Sequence, residues 1–230
     1  MKCIHQLLVR FRLFGLLIIF FGMVPPLYAA TVFVEDFEAG TAGWSMDNGV
    51  WEIGTPGAGP AACAGSSAQC AGTVLGGNYP PDADSRLISP SLALPALTSV
   101  DEEVHLRFQQ WFSYAGGDWG EVHVSVWDAA GGTWGNWVNL GTVAANTSGW
   151  SQGDVELTAY AGETVRVAFF HTASRPCCSS ANYESTGWYL DDIQIITKPP
   201  VFSGDFEGGW GDWHADRGVW QVGTPTAGPS

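Results

Sequence analysis

An all-β fold, a two-sheet antiparallel sandwich of jelly-roll type, is predicted by three observations on this chain of 230 residues. Period-two alternation of apolar and polar residues recurs along short runs, helical periodicity is nearly absent, and glycine-rich or proline-rich turns separate the runs. About nine or ten such runs fall within residues 31–198, enough for two packed sheets.

Thr31 to Phe37 opens the domain, and Val50 to Ile53 follows. Gly54 to Pro81 is dense in glycine and proline and reads as a long surface loop. Arg86 to Ser89 is a short strand. Val104 to Tyr114 is the clearest one: Val104, Leu106, Phe108, Gln110, Phe112 and Tyr114 share a face opposite His105, Arg107, Gln109, Trp111 and Ser113. Gly116-Gly117-Asp118 then predicts a hairpin turn into Glu121 to Trp127, whose Val122, Val124 and Val126 face inward. Trp137 to Val143, Gly153 to Leu157, Thr164 to His171 (Val165, Val167 and Phe169 inward) and Tyr189 to Ile196 complete the set.

Beyond this domain the sequence repeats itself. Val32 to Pro60 aligns without a gap with Val201 to Pro229 at an offset of 169 residues, identical at 17 of 29 positions. Residues 201–230 therefore read as the truncated start of a second copy, joined by a stiff linker at Lys198-Pro199-Pro200. Tandem modules favour adhesion or ligand binding, because linked weak sites gain avidity.

Residues 1–30 carry Lys2, Arg10 and Arg12, an apolar run from Leu13 to Val24, and a small-residue ending at Ala29-Ala30. This is the pattern of a secretory signal peptide, and the apolar run is too short to span a bilayer. Without those three basic residues, six Lys or Arg stand against 23 Asp or Glu, a formal charge of −17 that repels nucleic acid. Four cysteines remain in the exported part, an even number that favours disulfides. Cys63 and Cys70 bracket a small-residue loop and are the favoured pair among three connectivities; Cys177 and Cys178 are adjacent.

Asp36-Phe37-Glu38 with Gly43-Trp44, Arg86-Leu87-Ile88-Ser89-Pro90, Leu106-Arg107-Phe108 and Trp188-Tyr189-Leu190-Asp191-Asp192-Ile193 occur in the order and spacing of a MAM domain. Residues 31–198 resemble that family as a whole, and also the MAM-like modules of secreted metallopeptidases of the immune inhibitor A type. The resemblance implies a jelly roll without catalysis. The chain departs from animal MAM domains in having Glu35 where a cysteine usually precedes Asp-Phe-Glu.

If the first and last strands pair, their carboxylates cluster at a sheet edge, and calcium takes six to eight oxygen ligands. The resemblance likewise implies a structural cation there. Glu38 and Asp192 are the first candidate ligands, with Asp36, Asp191 and Asp84 behind them. The alternative is that Asp36 and Glu38 cap turns by accepting backbone hydrogen bonds.

Twelve tryptophans allow a sugar-binding surface, since aromatic faces pack on pyranose rings. Trp44 and Trp51 recur in the second copy as Trp213 and Trp220 and read as core. Trp111, Trp119, Trp127 and Trp134 fall on polar faces or in glycine-rich turns and are the candidate ligand contacts; Trp111 and Trp127 could instead fill an interface between sheets.

Enzymatic readings fare poorly. Gly149-Trp150-Ser151-Gln152-Gly153 matches a nucleophile elbow in letters, but a strand pattern follows where a helix is needed. Asp191 and Asp192 are neighbours on a strand and point to opposite faces, which is unsuitable for paired-carboxylate hydrolysis. His105, His123 and His171 lack metal-site spacing and read as solvent-facing. The expected function is secreted adhesion or substrate targeting, directed at glycan or a cell-surface protein and stabilised by calcium. The alternatives are a structural spacer in a secreted metallopeptidase and a sandwich-fold polysaccharide hydrolase or lyase.

Overall fold

The computed structural model describes residues 30–98, 102–174 and 184–198. Residues 1–29 of the expected signal peptide (1–30), Cys177 and Cys178, and the expected start of a second copy at 201–230 lie outside the described residues. Thirteen strands are present among them: β1 (Ala30–Glu35), β2 (Ser45–Met46), β3 (Glu52–Gly54), β4 (Cys70–Gly72), β5 (Ala83–Ile88), β6 (Leu92–Ala93), β7 (Glu103–Ser113), β8 (Trp119–Asp128), β9 (Thr133–Trp134), β10 (Val138–Val143), β11 (Ser151–Glu156), β12 (Thr164–Ala173) and β13 (Gly187–Lys198). One 3-10 turn, Thr158–Tyr160, precedes β12.

All pairings are antiparallel and make two sheets. The six-stranded sheet runs β11-β7-β13-β4-β3, with β1 also on β13, and the seven-stranded sheet runs β10-β8-β12-β5-β2, with β6 on β12 and β9 on β8. From β10 onward the chain changes sheet at every step, to β11, β12 and β13 in turn, which is the jelly-roll manner of closing a sandwich.

The alternation read from sequence sets the core. Val104, Leu106 and Phe108 of β7 meet Val122 and Val124 of β8 and Val165, Val167 and Phe169 of β12, all buried. Aromatic rings fill the centre: Phe169 lies edge-on to Phe108 at 4.9 Å and to Trp188 at 5.4 Å between centroids. Trp44 and Trp51 are both buried, as their recurrence predicts. Their indole N–H groups are satisfied by Glu35 Oε2 at 3.1 Å and by the Ser85 carbonyl at 3.2 Å. Glu35 also accepts the Phe37 N–H at 2.8 Å, so a buried carboxylate clasp occupies the position where animal MAM domains carry cysteine.

Three expectations are corrected. Gly116-Gly117-Asp118 does not close a hairpin: β7 and β8 belong to different sheets, and the turn arches between them. Alternation tells which face is apolar, and both strands present that face to the same core from opposite sides. The stretch from Gly54 to Pro81 is not wholly a surface loop, since Cys70–Gly72 forms the fully buried β4, and Tyr79 is buried as well. His105, His123 and His171 are all buried rather than solvent-facing, because acceptors or rings close over each of them.

Candidate ligand-binding face

Strand β8 is regular from Trp119 to Val126 in its pairing with β12, so Trp119, Glu121, His123, Ser125 and Trp127 all project from the outer face of the seven-stranded sheet. The two tryptophans are eight positions apart, roughly 27 Å along an extended strand. Between them the same face receives Arg166 and Phe170 from β12 and Arg86 from β5, positions whose inward neighbours Val165, Val167, Phe169 and Leu87 are core.

The segment from Asp128 to Trp137 folds back over one end of this face. Trp134 pairs directly opposite Trp127, with ring centroids 5.2 Å apart and tilted by 64°. The Ser125 hydroxyl donates to the Gly135 carbonyl at 2.7 Å and ties the segment down. Trp137 lies 6.2 Å from the His123 ring. The Arg166 guanidinium is 4.1 Å from the Trp134 ring and 5.1 Å from that of Trp137, and Arg86 lies 4.2 Å from Phe170 and 5.7 Å from Trp137. The result is an alternating aromatic and guanidinium strip, held by cation–π contact.

A hydrogen-bonded ladder fixes the remainder. The Trp119 indole N–H donates to Glu121 Oε1 at 2.8 Å, and Glu121 Oε2 lies 2.7 Å from His123 Nε2. Arg86 Nε donates to His123 Nδ1 at 3.4 Å, and its Nη1 reaches Asp47 Oδ2 at 3.3 Å. Because arginine only donates, His123 Nδ1 accepts and its Nε2 carries the proton toward Glu121. The side chains of the strip are therefore held by their neighbours, so a ligand docking on this face would meet a low ordering cost.

Three of the four candidate tryptophans, Trp119, Trp127 and Trp134, thus share one face. Trp111 does not: it belongs to β7 in the other sheet, where its ring meets Tyr189 edge-on at 5.5 Å. Sequence reasoning missed Trp137, Arg166, Arg86, Phe170 and His123. Outward parity next to Val165, Val167 and Phe169 could have flagged Arg166 and Phe170, whereas Trp137, expected to open the Trp137 to Val143 strand, stands just before β10 and is directed by the fold-back segment rather than by strand parity.

The acidic candidates divide as well. β1 pairs β13 with Glu35 opposite Ile193, so the terminal strands do meet. Asp191 is sealed from solvent, its Oδ2 accepting the Ala64 N–H at 3.0 Å and its Oδ1 the Asp192 N–H at 2.9 Å. Burial is the main reason its carboxyl is pushed up to about 6, with the charge of Asp192 adding to the effect. Asp192 adopts a left-handed backbone conformation, φ 48°, beside an irregularity in the β13–β7 register. Glu38 Oε1 accepts the N–H groups of Ala68 (2.6 Å) and Gln69 (2.9 Å) from the distant disulfide loop, and Asp36 Oδ1 accepts that of Glu38 (3.1 Å) as a local turn cap. Asp84 lies in β5 of the opposite sheet and accepts the Thr172 hydroxyl. Among the described residues no three carboxylate, imidazole or thiol groups converge as a ready-made metal cage.

Cys63 and Cys70 form a disulfide with Cα atoms 5.6 Å apart, closing the loop that supplies the Ala64, Ala68 and Gln69 N–H groups. Ser151 opens a strand, and its hydroxyl donates to the Gln110 carbonyl at 3.4 Å; no strand–turn–helix elbow surrounds it. Asp191, engaged by backbone donors and buried, is unavailable to act with Asp192 across a sugar.

No protein family matches the sequence. The chain is 31% identical over 167 residues to bacillopeptidase F of Bacillus subtilis, covering 71% of this chain and 10% of that protein. It spans about a tenth of the length of the curated relative it matches. Among solved structures it is similar to the K3 cleaved adhesin domain of Lys-gingipain from Porphyromonas gingivalis, with a TM-score of 0.48 and 25% identity over 74% of this chain and 100% of that one. It is also similar to the CBM22-1 xylan-binding domain of Xyn10C from Paenibacillus barcinonensis, with a TM-score of 0.45 and 14% identity over 74% of this chain and 95% of that one.

Proposed function

We propose that the chain is an extracellular, non-catalytic targeting module that binds polysaccharide along the outer face of its seven-stranded sheet. The observation that carries this reading is the strip from Trp119 to Trp127, extended by Trp134 and Trp137, on a single sheet face. Its length suits several sugar residues of an extended glycan, and aromatic rings offer the apolar contact that pyranose faces accept. The signal-peptide pattern at residues 1–30 supports export, and the likeness to a tenth of a peptidase supports an accessory place within a longer protein. On this reading the module is MAM-like in the sense of the sequence resemblance.

Calcium forms the second part of the proposal, as a structural ion where β1 meets β13. The donor type suits a hard cation that takes oxygen ligands: Asp191 and Asp192, with Glu38 and Asp36, are the groups that would hold it, and since no three of them converge among the described residues, the ion would have to draw them together. A buried carboxyl whose described partners are backbone N–H groups and the Ser67 side chain is the group such an ion would stabilise.

A polysaccharide pull-down and glycan-array screen on the full chain, run with calcium and again with chelator, tests both parts. Retention on at least one polysaccharide is expected. Failure to bind any glycan, with a melting temperature still lowered by chelator, would favour the structural spacer that the peptidase likeness allows.

A further inference from the structure

Arg86, Arg107, Arg166 and Lys198 are the Lys and Arg residues among the described positions, in a chain of formal charge −14. Three of them are matched. Arg107 and Lys198 both reach Asp154, at 2.9 and 3.2 Å, on the outer side of the six-stranded sheet, and Arg86 reaches Asp47. Arg166 has no ion pair among the described residues, and its Nε is buried without a hydrogen-bond partner. An unmatched arginine with an orphaned donor is unusual in a protein with an excess of carboxylates to pair it with.

Its surroundings explain how it is held. Trp134 and Trp137 flank the guanidinium at 4.1 and 5.1 Å, and Ser125 lies across from it on β8. The side chain is only half-buried, so a flank stays open to solvent while its plane is fixed by the rings. A planar fork of donors in that setting matches an oxyanion with two oxygens, such as a carboxylate. Burial presses against the charged form and lowers the pKa of Arg166, a penalty that an anionic partner would relieve.

From this we infer that the ligand is a largely neutral polysaccharide bearing isolated acidic substituents, one of which pairs with Arg166 between Trp134 and Trp137. The inference rests on the polysaccharide reading above. The net charge decides between sparse and dense substitution: a continuous polyanion meets the repulsion of the whole acidic surface, whereas a single carboxylate on a neutral backbone meets one local, uncommitted cation. The chemistry shared by uronates and sulfate esters is the oxyanion, and the test separates them.

The test uses the full chain and a panel of β-glucan, galactomannan and starch. Each is offered untreated, after light oxidation of primary hydroxyls to carboxylates, after re-reduction of those carboxylates, and after light sulfation; polygalacturonate supplies dense charge. On the backbone that binds, light carboxylation raises affinity about tenfold or more, re-reduction removes the gain, and polygalacturonate binds no better than the neutral polymer. A gain from sulfation alone identifies sulfate as the oxyanion. The ratio of acidic to neutral affinity, measured within each variant, falls to about one in Arg166→Gln, is kept in part in Arg166→Lys, and is unchanged in Arg107→Gln, on the other sheet. Near-ultraviolet circular dichroism confirms that each variant is folded. Equal affinity for neutral and acidic forms, or a gain that survives in folded Arg166→Gln, overturns the acidic-substituent inference alone. Failure of the folded chain to retain any of these polymers overturns the polysaccharide reading beneath it.

Discussion

Asp191, near the end of the domain, accepts the backbone N–H of Ala64 at 3.0 Å across 127 residues of sequence. That bond joins the last strand to the Cys63–Cys70 loop, and the loop in turn holds Glu38 through the Ala68 and Gln69 N–H groups. The turn after the first strand, the disulfide loop and the last strand are one connected acidic corner, and its expected response to pH and to the proposed calcium ion follows from the state of Asp191.

Burial raises Asp191 to about 6 in the folded protein, against an ordinary 3.8. The folded state therefore binds the proton more tightly, and stability declines as pH rises from about 4 to about 6 in the presence of chelator. Calcium must displace that proton, so its apparent affinity is expected to fall up to about tenfold per pH unit below about 6. Asp191→Asn should lose both the pH slope and the calcium-dependent rise in melting temperature. Calorimetry at stepped pH, with calcium and with chelator, checks this.

His171 predicts the opposite slope. It is fully buried, 4.6 Å from the Tyr79 ring, with Nδ1 3.2 Å from the Tyr114 hydroxyl, and burial lowers its pKa to about 4 from 6.5. The unfolded chain binds the proton more readily, so stability is full above 6.5 and is lost as pH falls toward 4. The loss is at most roughly 3 kcal/mol. His171→Phe should flatten this acid limb. Because the two windows overlap, the parent protein shows a shallow profile in chelator, and each single variant exposes the slope of the other group in urea denaturation across pH.

Opening the Cys63–Cys70 bond removes a short loop constraint, worth about 2 kcal/mol. The same change frees the N–H donors that hold Asp191 and Glu38. Reduction, or a double Cys→Ala variant, is therefore expected to lower the urea midpoint and also to blunt the calcium response. An intact calcium response in the reduced protein would separate the ion from this corner.

Gly120 begins the run of β8 where it passes Trp188. A Cβ there would meet Trp188 Cε3 at 2.5 Å and the Tyr114 hydroxyl at 2.8 Å. Gly120→Ala must push a core indole or a buried tyrosine, with an expected cost of about 1–3 kcal/mol measured by chemical denaturation.

Much of this architecture is legible in the sequence because period-two alternation survives in long strands. β7, β8, β12 and β13 emerge close to their expected bounds. Alternation does not identify partners, which is why β7 and β8 read as a hairpin although they face each other across the core. β4 escaped notice because Cys70-Ala71-Gly72 has no strand-like side chains; small residues are required there, since a Cβ on Gly72 would meet Tyr189 at 2.9 Å. In the candidate face, Trp119, Trp127 and Trp134 could be nominated one at a time from turn and face position. Their assembly with Trp137 and Arg166 depends on the Asp128 to Trp137 segment folding back over the sheet, which local sequence does not encode in any period. The acidic corner was legible as a pairing of terminal strands, but the backbone donors that occupy Glu38 come from a loop 30 residues away.

The most direct test of the central claim is a comparison of Trp134→Ala with Trp111→Ala in affinity electrophoresis of the full chain through gels containing the polysaccharide it retains. The account predicts that Trp134→Ala, which removes the ring beside Trp127 and Arg166, weakens retardation at least about tenfold, while Trp111→Ala on the opposite sheet migrates as the parent does. Retardation lost in Trp111→Ala and preserved in Trp134→Ala would place binding on the other sheet and contradict the account.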